Sequence, residues 1–289
     1  RATNESPMQQ VSDGTGNSNL FEFYSQSKYN ITKNLNVNLG FHSQYFMLNH
    51  HKTFEPRLGV NWHFSPTQTL SFGYGNHSQL EKIFIYFNQQ NQGAEIIRPN
   101  KNLDFTKAHH FVLGYDKMLT ENLHFRVEPY YQSIYNAPVI PDSSFSMLNY
   151  EREWQFNSNL VNEGSGENIG IDFTLERFLK DNFYYTATAS FFNAKYTGGD
   201  GVKRNTRFNS GYVVNLLFGK EFFLGDNGKN NILGINGKLT SQGGRYRSPV
   251  DRERSLAEQE IYYDHTQAFS DREKARNYLD ISITYRVNK

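Results

Sequence analysis

The sequence has no cysteine among its 289 residues. A disulfide framework and a thiolate metal site are therefore excluded. It also has no uninterrupted run of about 18 apolar residues, which excludes a transmembrane helix. Neither charge sign is in excess, because 30 Lys and Arg stand against 29 Asp and Glu. This balance gives no sign of a nucleic-acid partner.

Aromatic residues are abundant, with 24 Phe and 19 Tyr, although the mean hydropathy of −0.71 is that of a hydrophilic chain. This combination is unusual for a soluble globule. It is typical of a membrane β-barrel, in which only alternate residues face lipid.

Apolar and polar residues alternate strictly in many segments, which predicts β-strands. In "FYYTATASF" the apolar row is Phe183, Tyr185, Ala187, Ala189 and Phe191, and the other row carries hydroxyl groups. Residues 54–64, 123–133, 169–177 and 279–287 show the same period, and further runs start near Phe21, Val37, Leu70, Phe111, Tyr212 and Leu233. The sequence thus predicts about eleven antiparallel strands, several longer than the usual 5–6 residues of soluble proteins.

The connections between these strands alternate in length. Short turns begin at Thr32, Ser65, Leu119, Leu179 and Gly225. Residues 50–53 are a short connection on the side where the other connections are long. The longer segments are residues 81–105, 135–163, 197–206 and 243–275. This asymmetry predicts an all-β, up-and-down transmembrane β-barrel segment with short periplasmic turns and long extracellular loops. A soluble β-sandwich or propeller is the alternative, but strand length, loop asymmetry and aromatic residues at strand ends weigh against it.

Several stretches, taken in order, resemble the barrel of TonB-dependent outer-membrane receptors. They are "KTFEPRLGVNWHFSPTQTLSFGYGNHSQLE", "HHFVLGYDKMLTENLHFRVEPYYQSIYNAPV", "LVNEGSGENIGIDFTLERFL", "NTRFNSGYVVNLLFGKEF" and "SQGGRYRSPVD". The resemblance covers the chain from about residue 21 to its end. It implies energised uptake of a scarce nutrient across the outer membrane of a bacterium, with ferric chelates, cobalamin, glycans and peptides as open alternatives for the ligand.

The resemblance also implies a barrel of about 22 strands around an N-terminal plug, with a TonB box that couples to an inner-membrane energy complex. Neither plug nor TonB box is recognisable here, and the end "YRVNK" lacks a terminal aromatic strand. We therefore expect residues 1–289 to form one partial barrel domain without a plug. The expected partners are lipid, the missing strands and plug, the TonB complex and a small-molecule, glycan or peptide ligand, but no nucleic acid.

The loops are the best candidates for recognition, because aromatic and amide side chains can stack on and hydrogen-bond a ligand, and arginines can bind carboxylates or phosphates. The candidates are Tyr86, Asn88, Gln92, Tyr150, Trp154, Arg245, Tyr246 and Arg252. Arg247 and Arg254 belong to the same basic cluster. Anionic lipid headgroups are an alternative partner for these arginines.

No catalytic, metal or cofactor site is predicted. His109 and His110 are adjacent on a strand and must point to opposite faces, so they cannot share a metal ion. Charged residues on the rows predicted to face inward, among them Glu55, Arg57 and Glu128, are interpreted as a wall facing the plug or lumenal water. A passive channel or structural barrel remains the alternative function. A barrel hydrolase is a weaker one, since Ser143 and Ser144 beside Asp142 have no histidine close in sequence.

Overall fold

The computed structural model describes residues 14–92, 95–150, 156–225 and 231–287, with the side chain of Gln92 excepted. Its strands are β1 Leu20–Asn30, β2 Leu35–Phe46, β3 Glu55–Ser65, β4 Gln68–Gln79, β5 Gln90–Gln92, β6 Glu95–Ile97, β7 Thr106–Thr120, β8 Leu123–Val139, β9 Val161–Lys180, β10 Phe183–Thr197, β11 Lys203–Asn205, β12 Tyr212–Leu224, β13 Asn231–Gln242, β14 Tyr246–Arg247, β15 Asp271–Arg272 and β16 Arg276–Arg286. Two short helices, α1 Ile83–Phe87 and α2 Arg252–Glu258, and a 3-10 turn, Met147–Asn149, lie in the loops.

Eleven long strands form one antiparallel sheet in the order β1-β2-β3-β4-β7-β8-β9-β10-β12-β13-β16. Each long strand therefore pairs with the next long strand along the chain, and the short β11 adds to the end of β10. The prediction of about eleven antiparallel strands in up-and-down order is confirmed. β1 and β16 are the two edges of the sheet and do not pair with each other.

The short turns lie at one end of the strands and the long connections at the other end, as predicted. The β9–β10 turn has two residues, Asp181 and Asn182, and both have positive φ, at 54° and 59°. These are the dihedrals of a type I′ turn, which Asp and Asn tolerate better than other non-glycine residues. The predicted turn at Gly225 falls mostly on residues 226–230, outside the described residues.

Two predicted loop boundaries are wrong. Residues 135–139 and 161–163 continue the β8–β9 ladder, so that loop covers residues 140–160 instead of 135–163. The connection after β10 runs on past residue 206 to Gly211, because residues 206–211 turn back toward β12. Asn136, with a positive φ of 56°, disturbs the register between β8 and β9, and this irregularity weakens the period-2 pattern.

The main apolar cluster lies among the loops rather than on the sheet. Its buried members come from the end of β2, from α1 and from two loops: Phe46, Ile85, Tyr86, Leu103, Phe105, Met147, Phe156 and Leu160. Within the described residues, no helix is long and apolar enough to cross a membrane. The loops thus form a small packed cap above one end of the sheet, and this cap holds the predicted ligand residue Tyr86 in place.

Candidate functional site

The two faces of the sheet differ in chemistry, and the strand register shows which residues share a face. The polar face carries Gln26, Asn38, His42, Glu55, Arg57, His77, His110, Asp116, Arg126, Glu128, Gln132, Asn168, Asp172, Glu176, Thr188, Ser190, Asn215, Lys238, Asp280 and Arg286. The apolar face carries the alternate residues, such as Phe72, Phe111, Phe173 and Ile281. All the charged residues predicted to share the inward rows lie on the polar face.

Glu55 is the most buried charged residue of the polar face, with only 1% of its surface exposed. Its Oε1 accepts hydrogen bonds from Gln44 Nε2 at 2.7 Å and Thr53 Oγ1 at 2.9 Å. Its Oε2 lies 3.0 Å from His42 Nδ1 and 3.6 Å from an Arg57 Nη2. Both carboxylate oxygens are therefore engaged by neighbouring side chains, so Glu55 organises structure instead of offering a free acid or base.

A second charged group crosses β7 and β8. Asp116 Oδ1 lies 3.0 Å from His124 Nε2, and an Arg126 Nη2 donates to Glu128 Oε1 at 2.6 Å. Arg126 also lies 3.7 Å from Asp116 Oδ1, so one guanidinium links both carboxylates across β7 and β8. Ser143 and Ser144 lie elsewhere, in the β8–β9 loop, and in the described part of the chain no histidine hydrogen-bonds to either.

The histidines do not form a metal centre in the described residues. His109 contacts Tyr74 and Asn76 on the apolar face, whereas His110 lies against His77 on the polar face, with ring centroids 4.7 Å apart. The prediction that His109 and His110 point to opposite faces is confirmed.

Tyr86 and Asn88, two predicted ligand residues, lie inside the loop cap. Tyr86 has 0% of its surface exposed, and its ring packs edge-on against Phe46 at 5.1 Å. Its hydroxyl accepts a hydrogen bond from the backbone N–H of Glu81, and burial raises the pKa of Tyr86 well above its usual range. Asn88 is 1% exposed, and neither polar atom of its side chain has a partner among the described residues. In this arrangement neither residue offers surface to a ligand.

The three remaining candidates in and before the β8–β9 loop differ in what can be said of them. Tyr150 is half-buried and packs edge-on against Phe156 at 5.5 Å and Phe145 at 6.1 Å. Trp154 and the side chain of Gln92 lie outside the described residues. A role in ligand binding for these three stays a prediction.

The basic residues of the β13–β16 loop line an open cleft of about 900 Å³. Tyr246 and Arg252 meet there with Arg247, Tyr263 and His265 of the same loop and with Arg207 from the β10–β12 loop. Arg245, the third candidate in this loop, is exposed outside the cleft, and its backbone oxygen accepts from Glu273 N. Arg254 pairs with Glu258 at 3.2 Å and stacks on Tyr262, so it also turns away from the cleft.

The cleft is set up electrostatically for an anion. The guanidinium groups of Arg247 and Arg252 form no ion pair with a described residue. Of the two acidic residues in the lining, Glu273 is already paired with Arg276 at 2.7 Å, and Asp271 stands opposite Arg247 in the β14–β15 ladder, so the arginines outnumber the carboxylates that remain. Arginines without partners beside aromatic rings can bind carboxylate or phosphate oxygens in bidentate fashion. Sequence reasoning missed Arg207, which lies about 40 residues away along the chain and reaches the cleft only through the fold.

The sheet runs up and down, has one apolar and one polar face, and carries short turns at one end of its strands and long packed loops at the other end. These are the features of the wall of a transmembrane β-barrel. A family model described as TonB dependent receptor-like, beta-barrel, matches residues 2–289. The chain therefore belongs to the β-barrel family of TonB-dependent receptors.

Solved structures of the same architecture include three iron receptors. The ferric-catecholate import receptor Fiu of Escherichia coli K12 is 12% identical, with a TM-score of 0.65 over 94% of this chain. The ferric enterobactin receptor of Pseudomonas aeruginosa is 12% identical, with a TM-score of 0.62 over 93%. The ferric yersiniabactin uptake receptor of Yersinia pestis is 10% identical, with a TM-score of 0.60 over 92%. At these identities the likeness establishes the fold.

This chain spans 38–39% of the length of those receptors. No curated protein sequence matches it.

Proposed function

We propose that the chain is wall and loops of an outer-membrane receptor that takes up a scarce nutrient by TonB-coupled transport. The observation that carries this proposal is the family match over residues 2–289. The two faces of the sheet, and the long loops at one end of its strands, suit a membrane wall. The apolar face contacts lipid, and the polar face lines the lumen. We further propose that residues 1–289 form one partial barrel domain whose edges pair with further strands around a plug.

In this proposal the ligand is captured at the end of the strands that carries the long loops. The cleft of Tyr246, Arg247, Arg252 and Arg207 provides the first contact with an anionic group of the ligand. This location is supported by the absence of ion pairs at Arg247 and Arg252 among the described residues, because a guanidinium without a partner retains its full capacity for bidentate binding. The chain carries no chemistry of its own in this function, so it acts as a receptor and not as an enzyme.

The proposal is tested by uptake into the source bacterium with and without the gene. Cells receive ferric citrate, ferric enterobactin, cobalamin or maltoheptaose, each isotopically labelled, before and after the proton-motive force is dissipated with an uncoupler. We expect accumulation of at least one compound to require both the gene and the proton-motive force.

Other outcomes separate the alternatives. Accumulation that needs the gene but survives the uncoupler identifies a passive channel. Hydrolysis of a labelled compound by the purified whole protein identifies a barrel enzyme. The loop cleft is tested within the same assay by the double variant Arg247→Ala with Arg252→Ala, matched to Arg254→Ala, whose guanidinium is already paired with Glu258. Equal effects of the two would exclude the cleft from capture.

A further inference from the structure

A pocket of about 490 Å³ lies on the polar face, between β8, β9 and β10 and below two of the loops. Leu148 of the β8–β9 loop and Phe208 of the β10–β12 loop cover it from above. The two loops are held together here, because Asn149 Oδ1 accepts from Arg207 N at 3.0 Å. The β8–β9 loop is also held against β10, because Tyr196 Oη donates to Ser144 O at 2.8 Å. The pocket is therefore built by the fold and is separate from the arginine cleft.

The floor of the pocket is the ring of Tyr130, which lies over a glycine. A Cβ atom at Gly170 would stand 2.6 Å from Tyr130 Cζ and Oη, so the ring occupies the space that any other residue's side chain would fill. An aromatic ring that crosses a glycine of the neighbouring strand lies close to the sheet surface. Tyr130 is only half-buried, and its remaining surface lines the pocket.

One side of the pocket is a row of amide groups with defined orientation. Asn168 Nδ2 donates to Gln132 Oε1, and Gln132 Nε2 is hydrogen-bonded to His110 Nε2 at 2.7 Å. Each side-chain amide has two N–H groups and one carbonyl oxygen. One N–H of Gln132, one N–H of Asn168 and Asn168 Oδ1 consequently remain for a ligand.

Thr206 supplies an independent indication that a polar ligand belongs here. This residue lines the pocket and is 7% exposed, and its Oγ1 has no partner among the described residues. A buried hydroxyl without a hydrogen bond costs about 1–3 kcal/mol. Because Oγ1 has almost no accessible surface, a ligand hydroxyl or carbonyl group would satisfy it only after a small rearrangement of the neighbouring side chains.

Most of the remaining lining is apolar, and Lys195 is its single charged residue. Its apolar members include Ile134, which follows Gln132 on the same row of β8, and Phe192 and Phe208, and no arginine contributes. Lys195 belongs to the lining but lies on the alternate row of β10, and Asp172 is held by Ser190 Oγ at 2.5 Å. An anionic ligand has no counter-ion comparable to the arginine cleft.

We propose that this pocket binds a neutral ring with several hydroxyl groups, the chemistry of a hexopyranose. The C–H faces of such a ring pack on Tyr130 and Phe192, while its hydroxyl edge bonds to Gln132, Asn168 and Thr206. Pockets of this size that combine apolar walls with a few fixed polar groups are typical small-molecule sites. The inference rests on the proposed receptor function in one respect, since it names a ligand class for that receptor.

The test is a binding titration of the purified whole protein in detergent micelles, observed by saturation-transfer NMR. The probes are the methyl glycosides of glucose, mannose and galactose at millimolar concentrations, with phenol as an aromatic ring that lacks the polyol edge. We expect at least one glycoside to bind. Gly170→Ala displaces the Tyr130 ring and lowers affinity at least tenfold, whereas Gly73→Ala, on the same face with nothing within 4 Å of the added Cβ, leaves it unchanged.

Thr206→Val separates binding from folding. It removes the unpaired hydroxyl and keeps the shape, so it lowers glycoside affinity severalfold while thermal stability stays equal or rises. The proposal is overturned if no glycoside binds, if phenol alone binds, or if Gly170→Ala and Gly73→Ala behave alike. Gene-dependent, uncoupler-sensitive uptake of a ferric chelate without glycoside binding would leave the receptor function standing and remove this site. Glycoside binding without energised uptake would keep this pocket as a binding site and remove the receptor function.

Discussion

Ala187 and Thr188 are neighbours in β10 whose side chains lie on opposite faces of the sheet. Ala187 pairs across the sheet with Leu175 and Leu216, whereas Thr188 pairs with Thr174 and Asn215. A hydrogen bond of 3.4 Å from Asn215 Nδ2 to Thr188 Oγ1 shows that the second row is polar in its contacts as well as in its composition.

The first prediction follows from this difference between the faces. Ala187→Arg should lower the free energy of unfolding by about 2–4 kcal/mol if the residue lies at the membrane midplane, because the guanidinium then meets lipid. Thr188→Arg places the same charge toward the lumen and should cost much less. A urea titration of the whole protein in lipid vesicles measures both, and equal effects would contradict the assigned facing.

Glu55 gives a second prediction, on stability. Glu55→Ala leaves the side chains of Gln44 and Thr53 without their buried acceptor, and each unsatisfied buried group costs about 1–3 kcal/mol, so we expect a loss of at least that size. Glu22 is the matched control, since it lies 3.6 Å from the same histidine but its side chain is 56% exposed. Glu22→Ala should change stability by less than about 0.5 kcal/mol. A denaturant titration in which the two variants unfold together would show that the Glu55 network is unimportant.

Packing of the loop cap gives a third prediction. Tyr86→Ala empties a fully buried site and should lower the local opening free energy of the cap by about 3–5 kcal/mol. Tyr86→Phe loses only the hydrogen bond from Glu81 N, worth about 0.5–1.5 kcal/mol. Amide hydrogen exchange of residues 83–105 reports both effects. If Tyr86→Ala leaves exchange unchanged but abolishes nutrient uptake, Tyr86 acts in ligand binding and not in packing.

A fourth prediction concerns pH and the β10–β12 loop. Arg204 donates to both oxygens of Asp200, at 2.9 Å and 2.7 Å, and these hydrogen bonds lower the pKa of Asp200 below its usual range. A lowered pKa in the folded state stabilises the loop above the ordinary Asp pKa of about 3.9, and this contribution is lost as the pH falls through the lowered value. Once corrected for the intrinsic pH dependence of amide exchange, the protection of residues 198–211 should therefore be constant near neutral pH and fall only in acid.

The control for this pH dependence lies in another loop. Asp200→Asn should accelerate exchange of residues 198–211 at neutral pH and remove the acid transition. Asp264 also has a lowered pKa, from its hydrogen bonds with Thr266, but it lies in the β13–β16 loop. Asp264→Asn should leave residues 198–211 unaffected; an equal acceleration there would show that the transition reflects global unfolding.

The strands and their facing could be predicted because a period of two residues is a local signal. The rows of Phe183 to Phe191 and of Leu279 to Tyr285 are legible in the sequence and correct in the structure, whereas Val287 lies just after the end of β16. Loop contacts were not predictable, since they join distant residues, such as Asn149 with Arg207 and Tyr196 with Ser144. For the same reason the basic cluster was recognised from Arg245 to Arg254, but only the fold shows that Tyr246 and Arg252 meet Arg207 while Arg245 turns away.

The β8–β9 hairpin has a consequence for how the protein stands above the lipid. β8 has 17 residues and β9 has 20, whereas a tilted strand crosses the hydrocarbon layer with about 9–11. Both strands meet the short turns at their opposite ends, so the surplus residues lie on the side of the long loops. They extend the hairpin by roughly 20 Å along the strands, at about 3.3 Å per residue. The loop cap is thus supported by a hydrogen-bonded extension of the β8–β9 hairpin beyond the lipid. Large ligands that never touch the bilayer would still meet an ordered surface there.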